Sequence, residues 1–212
     1  MDARARLHDA HLYLVCDVCD DTFLDAALRG GVDIVQLRAK HASDDALVTA
    51  GRRFAARCAA HGALFILNDR PDLVAAAGAD GVHVGQDDAS VVGARELVGP
   101  QAIIGLSTHT LQQIAAASSA DVDYIGVGPV HRTPTKPGRA AVGLKLVADA
   151  AAYAVPPFFA IGGIDAGNVG AVRDAGATRI AVVRALTEAV GPEQAARALR
   201  EQITREVQVA GA

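Results

Sequence analysis

Tryptophan is absent from this 212-residue chain, and aromatic residues make up only 4% of it. Lysine and arginine form no block, and the net charge is −4. A nucleic-acid reader normally carries a basic face and stacking rings, so nucleic acid is excluded as the expected partner. No apolar run approaches the roughly 20 residues that a membrane span requires. The opening MDARARLHDAHLYLV places Asp, Arg and His where a signal peptide would be apolar. A soluble, cytoplasmic protein with small-molecule partners and no membrane contact is the expectation. Cysteine is scarce too: Cys16, Cys19 and Cys58. The first two form a C-x-x-C, which suits a redox pair or half a zinc site. A four-cysteine zinc site would lack its last ligand, and no histidine stands at finger-like spacing. The plain reading is a pair of reduced thiols at a strand end.

What the chain has is apolar residues, 51% of the total, enough for a sizeable core. It also repeats itself. GGVDIVQLR from Gly30, AGADGVHVG from Ala77, SADVDYIGVG from Ser119 and AGATRIAVV from Ala175 share one phrase: a small residue, often an acid, then a short apolar run. Each follows an alanine-rich stretch with helical spacing. The small residue or glycine ends the helix, and the apolar run is a strand buried on both faces. Filling the gaps gives eight candidate strands: LYLVC at 12–16, IVQLR at 34–38, LFILN at 64–68, GVHVG at 81–85, AIIGLS at 102–107, YIGVG at 124–128, FFAIGG at 158–163 and RIAVV at 179–183. Repeated strand-then-helix units make a parallel sheet. Eight of them predict an α/β fold, a (β/α)8 TIM barrel, compact against the ~250 residues typical of such barrels. One domain over 1–212 is expected, with 1–10 as an N-terminal extension and 208–212 as a frayed C-terminus. An open doubly wound sheet is the alternative. It would use YIGVG-GPV as a phosphate loop, but Pro129 and the prolines after it forbid a helix starting there.

A barrel places its chemistry at the C-terminal ends of its strands. The second strand ends in QLRAK, where alternation points Gln36, Arg38 and Lys40 one way and Leu37 and Ala39 the other. Two cations and an amide converging on one side favour an anion such as phosphate. The third strand ends in Asn68-Asp69 and the fourth in Gly85-Gln86-Asp87-Asp88, so neighbouring strands bring carboxylates to one mouth. Such a pair can do acid–base work or hold Mg²⁺ that in turn holds phosphates. Asp88 would alternatively cap the next helix, and Asp87 is an equal candidate on spacing. The fifth strand ends in Ser107-Thr108-His109: a hydroxyl for a phosphate oxygen, and a histidine that is either an acid–base group or a helix-start residue. Gly162-Gly163 after the seventh strand allow backbone N–H groups close to a ligand, and Val183-Arg184 end the eighth. The polar stretch VHRTPTKPGR, from Val130 to Arg139, becomes the loop after the sixth strand rather than an interdomain linker. Two anion zones in one barrel suggest a transferase joining two phosphorylated groups.

QLRAK, FILND, GVHVGQDD, GLSTHT, YIGVGPVHRTPTK and AIGGI stand in the order and spacing of the thiamine phosphate synthase family, which the chain resembles over about residues 10–190. The resemblance implies a (β/α)8 barrel that couples a hydroxymethylpyrimidine diphosphate to a thiazole phosphate, yielding thiamine phosphate and diphosphate. It implies that Gln36, Leu37, Arg38, Ala39, Lys40, Asn68, Ser107 and Lys136 bind the pyrimidine diphosphate. It assigns Thr133, Pro134, Thr135, Gly163, Val183 and Arg184 to the thiazole phosphate, and Asp69 and Asp88 to Mg²⁺, preferring Asp88 over Asp87. Arg38, Lys136 and Ser107 are the expected catalytic residues. Two positions depart from the family: Ala39 stands where an acid is frequent, and Arg184 where serine is frequent. The family route needs no nucleophile, and no Ser-His-Asp set is present. Diphosphate leaves the pyrimidine methylene carbon, and the thiazole nitrogen captures the cation. The related thiazole tautomerase would need no diphosphate site, so intact QLRAK, Asn68-Asp69, GQDD and TPTK argue against it. A Schiff-base aldolase would want a lysine within a strand core, and a non-catalytic phosphate-binding regulator would need no carboxylate pair.

Overall fold

The computed structural model describes residues 2–133 and 140–205. Eight parallel strands close into a barrel in sequence order: β1 (Leu12–Cys16), β2 (Ile34–Leu37), β3 (Leu64–Asn68), β4 (Gly81–Val84), β5 (Ile103–Thr108), β6 (Tyr124–Val127), β7 (Phe158–Ile161) and β8 (Ile180–Val182). β8 pairs back onto β1, with Leu12 opposite Ile180. All eight expected strands are present, with ends moved by a residue or two. β7 stops at Ile161 because Gly162 and Gly163 follow with φ of 108° and 63°, outside strand geometry. Several intervening helices start on the side-chain caps the sequence carries: Asp20 accepts from the Phe23 N–H, Ser90 from Gly93 and Thr110 from Gln113.

Alternation sorts each strand between two cores. Outward residues such as Leu14, Val35, Leu37, Phe65, Val82 and Val182 meet the helices in one large cluster. Inward residues fill the barrel, where Tyr13, Tyr124 and Phe159 pack edge to face with ring centroids 5.3–5.9 Å apart. Three of the eight aromatic residues in the chain (five Phe and three Tyr) therefore stand inside the barrel. Gly105 makes room for one of them: a Cβ there would lie 2.1 Å from the Tyr124 ring.

The recurring acid before the even strands has a structural cause. Asp33, Asp80 and Asp123 each precede an even strand and accept backbone N–H groups at the start of the strand before it: Leu12 at 3.0 Å, Phe65 at 2.8 Å and Ile104 at 2.8 Å. Each also holds an arginine. Arg6 reaches Asp80, Arg4 and Arg95 reach Asp123, and Arg200 of the helix Pro192–Thr204 reaches Asp33. The segment expected as an N-terminal extension thus forms a helix, Ala3–His8, held at the bottom of the barrel. Its Leu7 is buried among the inward residues Ile34, Leu64 and Ile103. Among the described residues no helix is long and apolar enough to cross a membrane.

Candidate active site

A cavity of about 450 Å³ opens at the C-terminal end of the barrel, a volume suited to a small ligand. From β2 come Gln36, which is buried, and Arg38 and Lys40 just beyond the strand; all three line the cavity. Leu37 and Ala39 pack outward against the helices instead, as alternation requires. Ala39 therefore brings no side chain to the cavity, and an acid at its position would point away from it. The Arg38 N–H donates to the Cys16 carbonyl at 2.8 Å, which extends the β1–β2 ladder one residue past β2.

Beside these cations, on the neighbouring strands, stand Asn68 and Asp69 at the end of β3 and Asp88 after β4, all lining the cavity. Asp69 has φ 61°, the left-handed region, and is the one non-glycine residue with positive φ among those described. Such outliers persist where surrounding structure enforces them, and they cluster at functional sites. Burial, a hydrogen bond with Asp88 and the charge of Asp88 push the Asp69 carboxyl above the usual carboxylate range, while Asn68 and Lys40 pull the other way. The two side chains are thus neighbours. Asp88 accepts the Gly85 N–H at 2.9 Å. It is not the cap of the following helix, since Ser90 takes that place. Both acids are exposed, but Asp88 lines the cavity and Asp87 does not, a difference that the spacing leaves open. Among the described residues no cluster of three or more His, Cys, Asp or Glu gathers. A pair of carboxylates is the usual protein share of a Mg²⁺ site that substrate oxygens and water complete.

Beneath the rim runs a hydrogen-bonded chain that the sequence reading did not single out. Gln36 Nε2 donates to Tyr13 Oη at 2.7 Å, and Tyr13 Oη lies 2.8 Å from Tyr124 Oη. His83 Nδ1 is 3.0 Å from Tyr124 Oη, and His83 Nε2 is 2.9 Å from Ser107 Oγ. The Gln36 amide donates into this chain, and the direction of the links beyond Tyr13 follows the tautomer of His83. The available signal was parity: Tyr13 and His83 occupy inward positions of otherwise apolar strands, the same face as Gln36.

The opposite wall comes from the ends of β7 and β8. Gly162, Gly163, Val183 and Arg184 line it. The two glycines are required on both counts: their φ values are positive, and a Cβ would lie 2.5 Å from Pro129 at Gly162 and 2.8 Å from His131 at Gly163. Arg184 opens a short helix, Arg184–Thr187, and its half-exposed side chain lies 3.9 Å from Glu188. Thr133 lines the cavity from the loop after β6; Pro134, Thr135 and Lys136 lie outside the described residues. His109 lines the cavity too, with Nδ1 donating to the Gly128 carbonyl, and sits directly before the cap Thr110. Cations, an acid pair and the Ser107 hydroxyl on one side, with glycine backbone on the other, give the cavity groups able to meet anions, and Asp165 and Glu188 line it as well.

The family model described as thiamine monophosphate synthase matches residues 12–186. A thiamine-phosphate synthase from Saccharopolyspora erythraea is 48% identical over 213 residues, covering 94% of this chain and 96% of that protein. One from Nostoc punctiforme is 47% identical over 198 residues, 92% of this chain but 56% of that protein. The chain thus spans little more than half the length of several of the curated relatives it matches, with 57% and 58% for the Nostoc sp. and Parasynechococcus marenigrum proteins. Among solved structures, a thiamine phosphate pyrophosphorylase from Pyrococcus furiosus superposes with a TM-score of 0.85 at 30% identity, over 95% of this chain and 98% of that one. A geranylgeranylglyceryl phosphate synthase from Thermoplasma acidophilum, at 14% identity and a TM-score of 0.72 over 96% of this chain and 99% of that one, shares the fold alone. Matched by the family model over most of its length and by a full-length relative at nearly half identity, the chain belongs to the thiamine monophosphate synthase family.

Proposed function

We propose that the chain is a transferase that condenses 4-amino-2-methyl-5-(diphosphooxymethyl)pyrimidine with 4-methyl-5-(2-phosphooxyethyl)thiazole, giving thiamine phosphate and diphosphate. The observation that carries this reading is a single cavity with Arg38, Lys40, Asp69 and Asp88 on one wall and Gly162-Gly163 on the other. Gln36 and Asn68 present amides to the pyrimidine diphosphate, with Leu37 and Ala39 contributing backbone only. Arg38 and Lys40 hold the diphosphate and stabilise the charge that develops on it as the C–O bond to the methylene carbon breaks. Ser107, oriented from below by His83, donates its hydroxyl proton to a diphosphate oxygen. Lys136, outside the described residues, is assigned to the same leaving group from its position in the family motif.

Asp69 and Asp88 fit a magnesium ion: two adjoining carboxylates, with Asp69 held above its usual range by burial and by Asp88, a cost that a cation between them would relieve. When bound, Mg²⁺ supplies charge neutralisation to the diphosphate. The N–H groups around Gly163, Val183 and Arg184, with Thr133, Pro134 and Thr135, take the thiazole phosphate, so the ring nitrogen is held at the methylene carbon when diphosphate departs. The Arg184 side chain replaces a hydroxyl with a mobile positive charge for that phosphate. Incubation with both phosphorylated precursors, with and without Mg²⁺, tests the reading: thiamine phosphate and diphosphate should accumulate in equal amounts only with Mg²⁺. Isomerisation of the thiazole phosphate alone, or binding of both compounds without turnover, would refute it.

A further inference from the structure

Arg70 follows Asp69 directly, but it does not line the cavity and takes no part in the chemistry proposed above. Its guanidinium is nonetheless almost fully engaged. Nη1 and Nη2 donate to the two oxygens of Asp44 at 2.5 and 2.9 Å. Nε and Nη2 donate to the two oxygens of Asp72 at 2.9 and 2.6 Å. Two bidentate pairs thus share one cation. A lone exposed ion pair counts for little, but bidentate pairs joined in a network are the exception. Neither Asp44 nor Asp72 lines the cavity.

The two acids come from different loops. Asp72 lies in the short 3-10 turn Pro71–Leu73 that follows Arg70. Asp44 is the first residue of the helix Asp44–Ala60, and the loop before it carries Arg38 and Lys40. Arg70 therefore ties the loop after β2, with its cations, to the loop after β3, with Asp69. Asp69 is pinned between two fixed points. On one side its own N–H donates to the His83 carbonyl of β4 at 2.9 Å. On the other, Pro71 bars the Arg70 backbone from the helical region, and Arg70 has φ −117° and ψ 73°. The two carboxylates hold the Arg70 side chain as well. The chain bridges these points with φ 61° at Asp69, a conformation that only its surroundings sustain.

We propose that Arg70, with Asp44 and Asp72, is a positioning cluster that holds Asp69 in its left-handed conformation and keeps its carboxylate in register with Arg38 and Lys40. This rests on the magnesium–diphosphate reading of the cavity. A guanidinium suits the task because its planar fork meets two carboxylates at fixed angles, whereas an ammonium is a point charge on a flexible stem. Without the brace, Asp69 relaxes toward an ordinary φ and its carboxylate leaves the place beside Asp88. Affinity for the cation and diphosphate together then falls. The barrel stays intact, because its strand ladders do not depend on Arg70.

Calorimetric titration of magnesium pyrophosphate into the full chain, paired with thermal unfolding in metal-free buffer, tests this. Arg70→Gln should weaken binding about tenfold or more, while the unfolding midpoint moves little. Arg70→Lys should fail to restore the affinity, because charge without the fork does not fix the two loops. Asp44→Asn, which keeps the shape of an exposed side chain, should show a smaller loss in the same direction. Unchanged affinity in Arg70→Gln, or full rescue by lysine, overturns the proposal and leaves the metal reading standing. A lower midpoint with unchanged affinity would make Arg70 a structural residue only, and overturns it too. If Arg70→Gln does not fold, Asp44→Asn decides, and affinity equal to that of the unmutated chain overturns the proposal. If the unmutated chain binds pyrophosphate equally with and without magnesium, the metal reading fails and the proposal falls with it.

Discussion

Asp69→Asn separates charge from shape at the cavity rim. Asparagine tolerates the left-handed backbone that Asp69 adopts, and it removes the repulsion with Asp88. Turnover with Mg²⁺ should fall about 100-fold or more, while the melting temperature in metal-free buffer stays level or rises. Retained activity, or a melting point several degrees lower, would show that Asp69 serves the fold rather than the metal. Tyr124→Phe tests the buried chain. The ring contacts with Tyr13 and Phe159 remain, but His83 Nδ1 and Tyr13 Oη lose their shared partner. A stability loss of about 1–3 kcal/mol is expected, together with a lower kcat as Ser107 loses its orientation. Denaturant unfolding and steady-state rates both unchanged would leave the chain without a role. Cys58 gives a pH signature. Burial raises its thiol from an ordinary 9.0 to about 12, so the native state holds that proton more tightly than the unfolded chain. Stability is then unaffected below the lower value. It falls between the two as pH rises, by at most about 1.4 kcal/mol per pH unit. Urea titrations from pH 8 upward should show that slope reduced in Cys58→Ala.

The repeating element is a strand and helix followed by an acid that ties the next strand to the last. Asp123 shows what the acid does: it accepts from the Ile104 N–H and pairs with Arg4 and Arg95. Asp123→Ala leaves the largely buried Arg95 guanidinium without one of its carboxylate contacts, Arg4 without its carboxylate partner and the buried Ile104 N–H without this acceptor. A cost of about 3 kcal/mol is expected, measured by denaturant unfolding, with KM for both substrates unchanged because the residue lies at the end of the barrel opposite the cavity. A shifted KM would mean that the two ends are mechanically coupled. The fourth repeat carries Thr178-Arg179 in place of the acid, and Arg179 donates instead to the His8 carbonyl. The strand ends that form the cavity are the counterpart of these ties: the ladder hydrogen bonds stop there, and polar side chains replace apolar ones.

At the scale of the whole molecule, the barrel converges side chains from strands far apart in sequence onto one volume, and ligand binding should stabilise all of it. Magnesium with inorganic pyrophosphate at about 100 times its Kd should add about 2.7 kcal/mol, a melting shift of about 5–10 °C, read by differential scanning fluorimetry. Either component alone should give much less. Equal shifts with pyrophosphate alone would argue against the carboxylate pair as a cation site. Much of this was legible in the sequence. Short continuous apolar runs and glycine-marked helix ends determined eight strands and their order, because each strand is buried on both faces and tolerates little but apolar residues. Alternation determined that Gln36, Arg38 and Lys40 share a face, since a one-residue shift would bury two cations in the outer core. The resemblance preferred Asp88 over Asp87; that Asp88 lines the cavity and Asp87 does not is seen only in the tertiary structure, because loop conformation, not spacing, sets which side chain faces it. The tertiary structure also decided that Tyr13, Tyr124, His83 and Ser107 form one chain: these residues come from four strands, and only closure of the barrel brings their polar atoms within hydrogen-bonding distance.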